Sequence, residues 1–231
     1  MLSIVIPTLD AAAVLQRTLA ILAAAEGDHD IAAAGGREII IADGGSRDDT
    51  LAIARQAGAR VVSCEPGRGR QLHAGACAAR GDWLLFLHAD THPAPGWITA
   101  VARFMEAPAN GLRAAAFRFA LDDDGALARL LTRAVAWRCR LFALPYGDQG
   151  LLMARAFYDQ IGGFRPMPLM EDVDMVRRIG RRRLCLLDTV AVTSAERYRH
   201  DGWLLRPLRN LCCLGLYAAG VPPRLIERLY R

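Results

Sequence analysis

The chain has 231 residues, 53% hydrophobic and 23% charged, which predicts a folded domain with a buried core and excludes global disorder. All 29 basic residues are Arg, and the net charge of +5 favours anionic ligands such as diphosphates or an acidic membrane surface. The positive charge is too dispersed to indicate nucleic-acid binding. The six cysteines form no CxxC pair, which is typical of free thiols in a cytoplasmic protein.

The chain start shows no pattern of a signal peptide, because Met1 runs directly into a strand-like segment without a basic n-region. The longest uncharged apolar stretch near the end, 211–223, is too short to span a bilayer. We therefore expect a cytoplasmic protein, and leave open a contact with the inner face of a membrane.

Strand-like and helix-like segments alternate over the first 90 residues. Short apolar runs predict strands at 2–6, 38–42, 60–63 and 82–87. The segments between them predict helices at 10–25, 49–57 and 69–79, with Asp10 and Asp48 as N-caps. This alternation predicts a parallel sheet with helices on both faces.

Polar clusters follow each predicted strand. Ligands of open α/β sheets bind beyond the carboxyl ends of the strands, so these clusters predict one site at that edge. The clusters cover 8–10, 43–46, 65–70 and 88–90.

The second half of the chain is less regular. Its pattern predicts strands at 113–119 and 151–153, a strand pair near 184–193, and helices at 125–140, 154–161 and 171–180. Two helices are expected to close the chain. We expect one α/β domain over 1–195 and an amphipathic helical segment over 196–231.

The C-terminal segment combines a basic surplus with apolar residues. It holds seven Arg against three acidic residues. Its apolar face consists of Trp203, Leu204, Leu205, Leu208, Leu211, Leu214 and Tyr217. Such a helix can lie on an anionic membrane; packing against the rest of the chain or a second subunit is the alternative.

Asp43-Gly44-Gly45-Ser46 sits at a predicted strand-to-helix turn. Its glycines allow a ligand to approach the backbone closely, and Asp43 can accept a hydrogen bond from a base N–H. An Asp that only shapes the turn is the alternative. Arg68 and Arg70, at a predicted helix start, can hold phosphate, although the Gly67-Arg68-Gly69 pattern lacks the third glycine of a dinucleotide fingerprint.

His88-Ala89-Asp90 follows the most hydrophobic strand. A carboxylate there needs a partner or a cation to offset its desolvation. Ligands at i and i+2 of an extended segment can grip a hard ion that bridges diphosphate oxygens, and the imidazole favours Mn²⁺ over Mg²⁺. His200 could reach the same metal or remain a surface histidine.

Glu171-Asp172 opens a predicted helix after the loop 166–170. Carboxylates are favoured at a helix N-terminus, so a cap is one reading. The functional reading is a general base that deprotonates an acceptor hydroxyl. In the same half, Asp148 and Gln149 of the Gly147–Gly150 loop are candidates for the acceptor side, and a tight turn is the alternative.

Four of these motifs, in this order, resemble glycosyltransferase family 2, a large inverting group. Ser3–Leu9 resembles its first strand and Asp43–Ser46 its base-contacting turn. Phe86–Asp90 resembles its DxD metal motif with His in place of the first Asp. Gly162-Gly163-Phe164 with Glu171–Asp174 resembles its G-G-F…E-D-x-D segment. The chain is also similar to a small bacterial subfamily labelled arsenosugar-biosynthesis-associated glycosyltransferase, through Phe86–Thr91, Gly147–Gly150 and Val221-Pro222-Pro223.

The resemblance implies an α/β GT-A (nucleotide-diphospho-sugar transferase) fold, with a mostly parallel Rossmann-like sheet flanked by helices and with C-terminal helices. It implies a glycosyltransferase of the hexosyltransferase class, with Asp172 as base beside Glu171 and a divalent metal, Mn²⁺ or Mg²⁺, on Asp90, His88 and His200. Donor contacts are expected from Pro7, Thr8, Asp10, Asp43, Gly44, Gly45, Ser46, Arg68, Arg70, His88, Ala89 and Asp90.

The expected partners are a nucleotide-sugar donor, with a UDP-sugar as first choice, and a hydroxyl or carboxyl acceptor whose class extends to lipid-like molecules. A homodimer is left open. Two alternatives remain: a non-catalytic nucleotide-sugar-binding or membrane-associated scaffold protein, and a sugar nucleotidyltransferase. The second lacks its expected glycines, because Pro7–Asp10 contains none.

Overall fold

The computed structural model describes residues 1–24 and 36–230. Its centre is an eight-stranded sheet with the order β3-β2-β1-β4-β7-β6-β8-β5. The strands are β1 Leu2–Thr8, β2 Arg37–Asp43, β3 Arg60–Ser63, β4 Trp83–Phe86, β5 Thr91–Pro93, β6 Ala114–Leu121, β7 Leu151–Ala154 and β8 Leu184–Thr193. The first four strands run parallel, and β7 and β5 are antiparallel to their neighbours.

Helices cover both faces of this sheet. They are α1 Ala12–Ala24, α2 Thr50–Gln56, α3 Arg68–Ala78, α4 Trp97–Glu106, α5 Ala126–Phe142, α6 Arg155–Gln160, α7 Glu171–Ile179, α8 Glu196–Asp201, α9 Leu205–Ala218 and α10 Pro223–Tyr230. The predicted first helix extended to residue 25, which lies outside the described residues.

The two faces of the sheet bury alternate residues of the same strand. Ile4 and Ile6 of β1 pack into one core with α1, α2 and α4, whereas Val5 packs into the other with α3, α6 and α7. A strand buried on both faces must be apolar throughout, which is why β1 reads as a continuous hydrophobic run. The predicted α/β architecture is confirmed.

The register places the ends of the first strands at one edge. Thr8, the last residue of β1, pairs with Asp43, the last residue of β2, and Asp43 pairs with Ser63 of β3. Leu87, just after β4, donates its backbone N–H to the Val5 carbonyl at 3.0 Å, so His88 emerges at this same edge. The strand-end rule therefore located the edge correctly.

Two predictions about elements were wrong, and two elements were missed. The expected strand pair at 184–193 is one strand, β8. Its register against β6 shifts between Ala116 and Arg118, and this irregularity interrupts the strand pattern of the sequence. Three helices rather than two follow it, because Gly202 and Gly220 break the segment at positive φ. Helix α4 and the short edge strand β5 went unpredicted.

Asp10 was predicted to cap α1, but in the structure it does not. Asp10 has a φ of 49° and its Oδ1 accepts a hydrogen bond from the Arg47 N–H at 2.8 Å. The first amide groups of α1 are bound from the next loop instead: Ala12 N–H donates to Asp48 at 3.0 Å and Ala11 N–H to Thr50 at 2.8 Å. Asp48 also accepts from the Thr50 N–H at the start of α2, so this carboxylate joins two helix starts.

The C-terminal helices pack on the loop that leads into α7. Cys213 of α9 and Ile226 of α10 are buried with Leu169, Met170 and Val173. All six cysteines are free, but only Cys139 and Cys213 are buried. Among the described residues, no helix has the length and hydrophobicity needed to cross a membrane.

Candidate active site

A cleft of about 940 Å³ opens at the carboxyl edge of the sheet. Its floor comes from the end of β1, its sides from the start of α3 and the segment after β4, and its outer wall from the loop 166–168 and α10. The predicted donor residues that line it are Pro7, Thr8, Asp10, Arg68, Arg70, His88, Ala89 and Asp90.

A second, smaller cavity of about 110 Å³ adjoins this cleft. It lies between the Gly147–Gly150 loop, the start of α7 and the inner face of α9, and it is lined by Asp148 and Asp172. Arg68, His88, Asp90 and Ser194 line both the cleft and this cavity. The two spaces therefore meet at these four residues.

The Asp43–Ser46 turn lies beside the cleft without lining it. Asp43 is buried, and its carboxylate accepts hydrogen bonds from Thr8 and Ser46 hydroxyls and from the Gly45 and Ser46 N–H groups. Burial alone would raise the pKa of Asp43, but the Ser46, Gly45 and Thr8 hydrogen bonds outweigh it and lower the pKa. These contacts shape the turn; a direct base contact of Asp43, and donor contacts of Gly44, Gly45 and Ser46, stay predictions.

Arg68 connects the cleft to helix α7. Its Nε lies 3.0 Å from Oε1 of Glu171, whose side chain is 1% exposed. The pair lacks the alignment of a hydrogen bond, and Glu171 Oε2 accepts none from the described residues. Arg70 lines the cleft but not the second cavity, and it pairs with the exposed Glu65. Arg68 is thus the arginine of the predicted phosphate pair that reaches the junction of the two cavities.

Burial raises the pKa of Glu171 to about 7; the nearby Arg68 opposes this shift and Asp172 adds to it. Between its ordinary pKa of 4.5 and about 7, the folded protein keeps a proton that the unfolded chain has released. The free energy of unfolding therefore falls as pH rises through this window. The Glu171→Gln variant stays neutral, so its stability should fall less steeply, by about 1 kcal/mol per pH unit.

Urea unfolding of both proteins at pH 5, 6 and 7 measures this difference. Equal slopes for wild type and Glu171→Gln would mean that Glu171 titrates near its ordinary pKa. Arg68→Gln is the companion variant, because it removes the positive charge that opposes the rise in the pKa of Glu171. In this variant the free energy of unfolding should go on falling to a higher pH than in the wild type.

Asp172 lies at the wall of the second cavity and is held by two backbone groups. Its Oδ2 accepts a hydrogen bond from the Gly147 N–H at 2.9 Å, and its Oδ1 accepts one from the Val173 N–H at 2.8 Å. The half-buried carboxylate has little freedom to rotate, since both oxygens are fixed. Such an anchored group is preoriented for proton transfer to a ligand in the cavity.

Asp174, two residues after Asp172, has a different role. Its nearly buried carboxylate forms ion pairs with Arg165 at 3.0 Å and with Arg178 at 2.7 Å. These contacts tie the start of α7 to the loop after Gly163 and leave Asp174 outside both cavities. The last Asp of the E-D-x-D segment is therefore a structural residue.

Asp148 is the most perturbed carboxylate of the second cavity. Its Oδ1 is fully buried and accepts no hydrogen bond from the described residues. Burial raises the pKa of Asp148 to about 6; Arg138 opposes the shift, while the negative charges of Asp172 and Asp90 add to it. The negative charges of Asp148, Asp172 and Asp90, which all line the second cavity, therefore repel one another.

Gln149 turns away from both cavities, which argues against its predicted contact with an acceptor. Its amide donates to the Phe117 carbonyl at 2.9 Å and accepts from the Arg138 guanidinium at 3.3 Å. Arg138 also lies over the Tyr146 ring, 3.5 Å from its centroid. Gln149 therefore fixes the Gly147–Gly150 loop through Arg138 and Tyr146.

The predicted metal ligands do not assemble as a set of three. His88 and Asp90 share the junction of the cavities, but the His200 side chain is 88% exposed, bonds Asp201 and lines neither cavity. Within the described residues, no group of three or more His, Cys, Asp or Glu side chains could hold a metal. The structure does not bring His200 to Asp90, because the His200 side chain on α8 lies outward.

Sequence reasoning missed the side chains that the C-terminal helices add to the site. Arg224 and Arg228 of α10 line the cleft, and Arg206 and Asn210 of α9 line the second cavity. No local motif marks them, because they reach the site only through the packing of α9 and α10 on the loop 169–173. Tyr146 was also missed, although it directly precedes the Gly147–Gly150 loop.

Comparisons with known proteins identify the family and the fold. The model of the family described as "Glycosyl transferase family 2" matches residues 3–167. No curated protein sequence matches the chain significantly.

Solved structures also match. One is glucosyl-3-phosphoglycerate synthase from Mycobacterium tuberculosis in complex with Mn²⁺, UDP and glucosyl-3-phosphoglycerate, with a TM-score of 0.55 and 22% identity over 84% of this chain and 70% of that one. Another is S. aureus TarS 1-349, with a TM-score of 0.63 and 14% identity over 99% of this chain and 69% of that one. At these identities the likeness shows a shared fold, and the predicted GT-A fold is confirmed.

Proposed function

This chain belongs to glycosyl transferase family 2, and we propose that it moves a hexosyl group from a nucleotide-sugar to a hydroxyl or carboxyl acceptor with inversion. The observation that carries the proposal is the junction of the two cavities at Arg68, His88 and Asp90. A transferase needs one space for the donor and one for the acceptor, and the two must adjoin where the sugar is transferred.

The cleft suits the donor. Its volume of about 940 Å³ is large enough for a nucleotide-sugar, and Arg68 lies at the N-terminus of α3, where a diphosphate is favoured by the helix dipole and by charge. A UDP-sugar is the first choice, since the glucosyl-3-phosphoglycerate synthase structure contains UDP.

The chemistry of the junction fits a divalent ion. His88 and Asp90 offer one imidazole and one carboxylate, a pair that suits Mn²⁺, and the donor diphosphate would supply further oxygen ligands. Burial is the main cause of the raised pKa of Asp148, and the negative charges of Asp172 and Asp90 beside this pair add to it. When bound, the ion would stabilise the charge of the departing diphosphate. The same synthase structure contains Mn²⁺.

Asp172 is the proposed general base. It faces the second cavity and is fixed by Gly147 and Val173, so an acceptor hydroxyl there can pass its proton to the carboxylate. Attack from the side opposite the leaving diphosphate inverts the anomeric centre. Glu171 acts by holding Arg68 in place at the junction.

The acceptor would occupy the second cavity. Asp148 Oδ1 and Asn210 Oδ1 accept no hydrogen bond from the described residues, so a ligand with hydroxyl donors could satisfy them after small side-chain rotations. We propose that residues 1–195 carry the chemistry and that 196–231 complete both cavities. The motifs F-L-H-A-D-T and G-D-Q-G support membership of the small subfamily named above, whose label refers to gene neighbourhood and identifies no acceptor.

A thermal-shift panel tests the donor site directly. We expect one class among UDP-, GDP- and dTDP-sugars to raise the Tm in the presence of Mn²⁺, because a ligand bound only by the folded state at about 100 times its Kd adds about 2.7 kcal/mol to stability. Replacement of Mn²⁺ by EDTA should abolish most of the shift. The Arg68→Ala variant should lose it as well.

Two further assays separate the alternatives. Pyrophosphate release from a sugar phosphate and a nucleoside triphosphate would identify a nucleotidyltransferase. Donor binding with neither hydrolysis nor transfer across a panel of acceptors would identify a non-catalytic binding protein. Either result would overturn the transferase proposal.

A further inference from the structure

Helix α9 has an unusual distribution of charge for a surface helix. Its two arginines face inward: Arg206 is 11% exposed and both Arg206 and Arg209 pair with Asp201, at 2.5 Å and 3.1 Å. The residues it exposes, together with Leu204 just before it, are Leu204, Leu205, Leu208, Leu211, Cys212, Gly215 and Ala218. None of these outward residues is charged, whereas a helix on a globular protein normally exposes its polar face.

The outward leucines form a continuous stripe. Leu204, Leu208 and Leu211 follow the i, i+4, i+7 spacing of one helix face and are 75%, 57% and 63% exposed. Leu225 and Leu229 of α10 are exposed as well, and α10 packs against α9. Large exposed apolar side chains clustered on adjacent helices mark a site of interaction. We call these five leucines the leucine stripe.

Positive charge borders the leucine stripe. Arg224 and Arg228 of α10 are exposed at the rim of the cleft and directly precede Leu225 and Leu229 in the sequence. They form no ion pair with any carboxylate in 1–24 or 36–230. In a symmetric contact between two copies through this surface, these arginines would approach those of the other copy and repel them. An anionic lipid surface would attract them instead.

We propose that α9 and α10 dock on an anionic lipid bilayer, with the leucine stripe in the headgroup and acyl boundary and Arg224 and Arg228 at the lipid phosphates. The 14-residue α9 is too short to span the hydrocarbon core, so it lies along the surface. Trp203, Leu214 and Tyr217 take no part. Trp203 stacks on Tyr198, while Leu214 and Tyr217 pack inward.

Docking would place the second cavity beside the membrane. The inner face of α9, through Arg206, Asn210 and Leu214, lines that cavity while the outer face carries the leucine stripe. The docking proposal does not depend on the proposed transferase activity, because vesicle binding can be measured without donor or acceptor.

The test is co-sedimentation of the purified chain with vesicles. One set is pure phosphatidylcholine and the other contains an equal part of phosphatidylglycerol. We expect binding to the anionic vesicles, weaker by about tenfold for Leu208→Glu/Leu211→Glu, since two carboxylates would enter the apolar boundary. Arg224→Ala/Arg228→Ala should remove most of the preference for phosphatidylglycerol.

The matched control is Leu112→Glu/Leu186→Glu, which changes two other exposed leucines, before β6 and in β8, towards the opposite edge of the sheet. It should bind vesicles as the wild type does, and circular dichroism should show all variants folded. Wild type that fails to sediment with anionic vesicles, or equal binding by Leu208→Glu/Leu211→Glu, would overturn the proposal. A wild-type dimer in light scattering that this variant converts to monomer, without vesicle binding, would assign the leucine stripe to a second copy.

Discussion

The Asp172→Asn variant should bind the nucleotide-sugar donor normally and lose transfer to the acceptor by about 10²–10⁴-fold in kcat, the usual contribution of a general base. The amide cannot take the acceptor proton, but it keeps the size of the side chain and one oxygen for the bond from Gly147 or Val173. The assay pairs the donor thermal shift with transfer rates. Transfer at the wild-type rate would show that another group takes the proton, and Asp148 in the same cavity would be the next carboxylate to replace.

Asp174→Asn is the matched control for this experiment, because it makes the same chemical change two residues away in the same helical turn. Asp174 pairs with Arg165 and Arg178 and lines neither cavity. We expect this variant to lose about 1–3 kcal/mol of stability through the weakened buried pair, with kcat within a few-fold of wild type. A loss of kcat as large as that of Asp172→Asn would mean that both carboxylates act through the position of α7 rather than through proton transfer.

The location of the site was predictable because strand ends obey a topological rule. Thr8, Asp43 and His88 each follow an apolar run, and parallel strands bring such residues to one edge whatever the rest of the chain does. Local pattern was enough for this inference, because buried strands of a parallel sheet carry a strong hydrophobic signal.

The roles of individual residues at that edge were less accessible. Asp48 and Asp10 both look like N-caps, yet Asp48 serves two helices and Asp10 binds the Arg47 amide. Gln149 sits beside Asp148 in sequence, but the short turn at Gly147–Gln149 sends the two side chains in different directions. Neighbours in a turn diverge over a few ångströms, a detail that depends on backbone dihedrals rather than on residue type.

The contribution of the C-terminal helices could not be derived from local pattern. The sequence shows that 196–231 is basic and apolar. Its helices place Arg224 at the cleft and Asn210 at the second cavity only because α9 and α10 pack on the distant segment 169–173. The same packing orients α9 so that its arginines form ion pairs on the inner face and its leucines lie on the outer face. A segment that contains both arginines and leucines looks in the sequence like an ordinary amphipathic helix, so the inward arginines and outward leucines could not be predicted.

Replacing Asp90 by Asn should remove the Mn²⁺-dependent part of the donor thermal shift and lower transfer by at least about 10²-fold, the scale of losing electrostatic stabilisation of a leaving group. Asp90 is the single carboxylate in the His88-Ala89-Asp90 segment, and it lines both cavities. Asp82→Asn is the control, since the Asp82 side chain is 86% exposed at the start of the same strand and pairs with the chain N-terminus.

The residue His88 provides the complementary test of which ion is held. His88→Asp restores two carboxylates at i and i+2, and hard oxygen ligands suit Mg²⁺, so this variant should shift the metal preference of donor binding from Mn²⁺ towards Mg²⁺. The His88 ring lies so close to Gly147 that a Cβ at that position would collide with it, and the smaller Asp side chain would leave space there. Isothermal titration of UDP-sugar with each ion measures the change. Donor binding and transfer that persist in EDTA for wild type and for Asp90→Asn alike would assign the diphosphate to the arginines, with Arg68 at the N-terminus of α3 as the first group to replace.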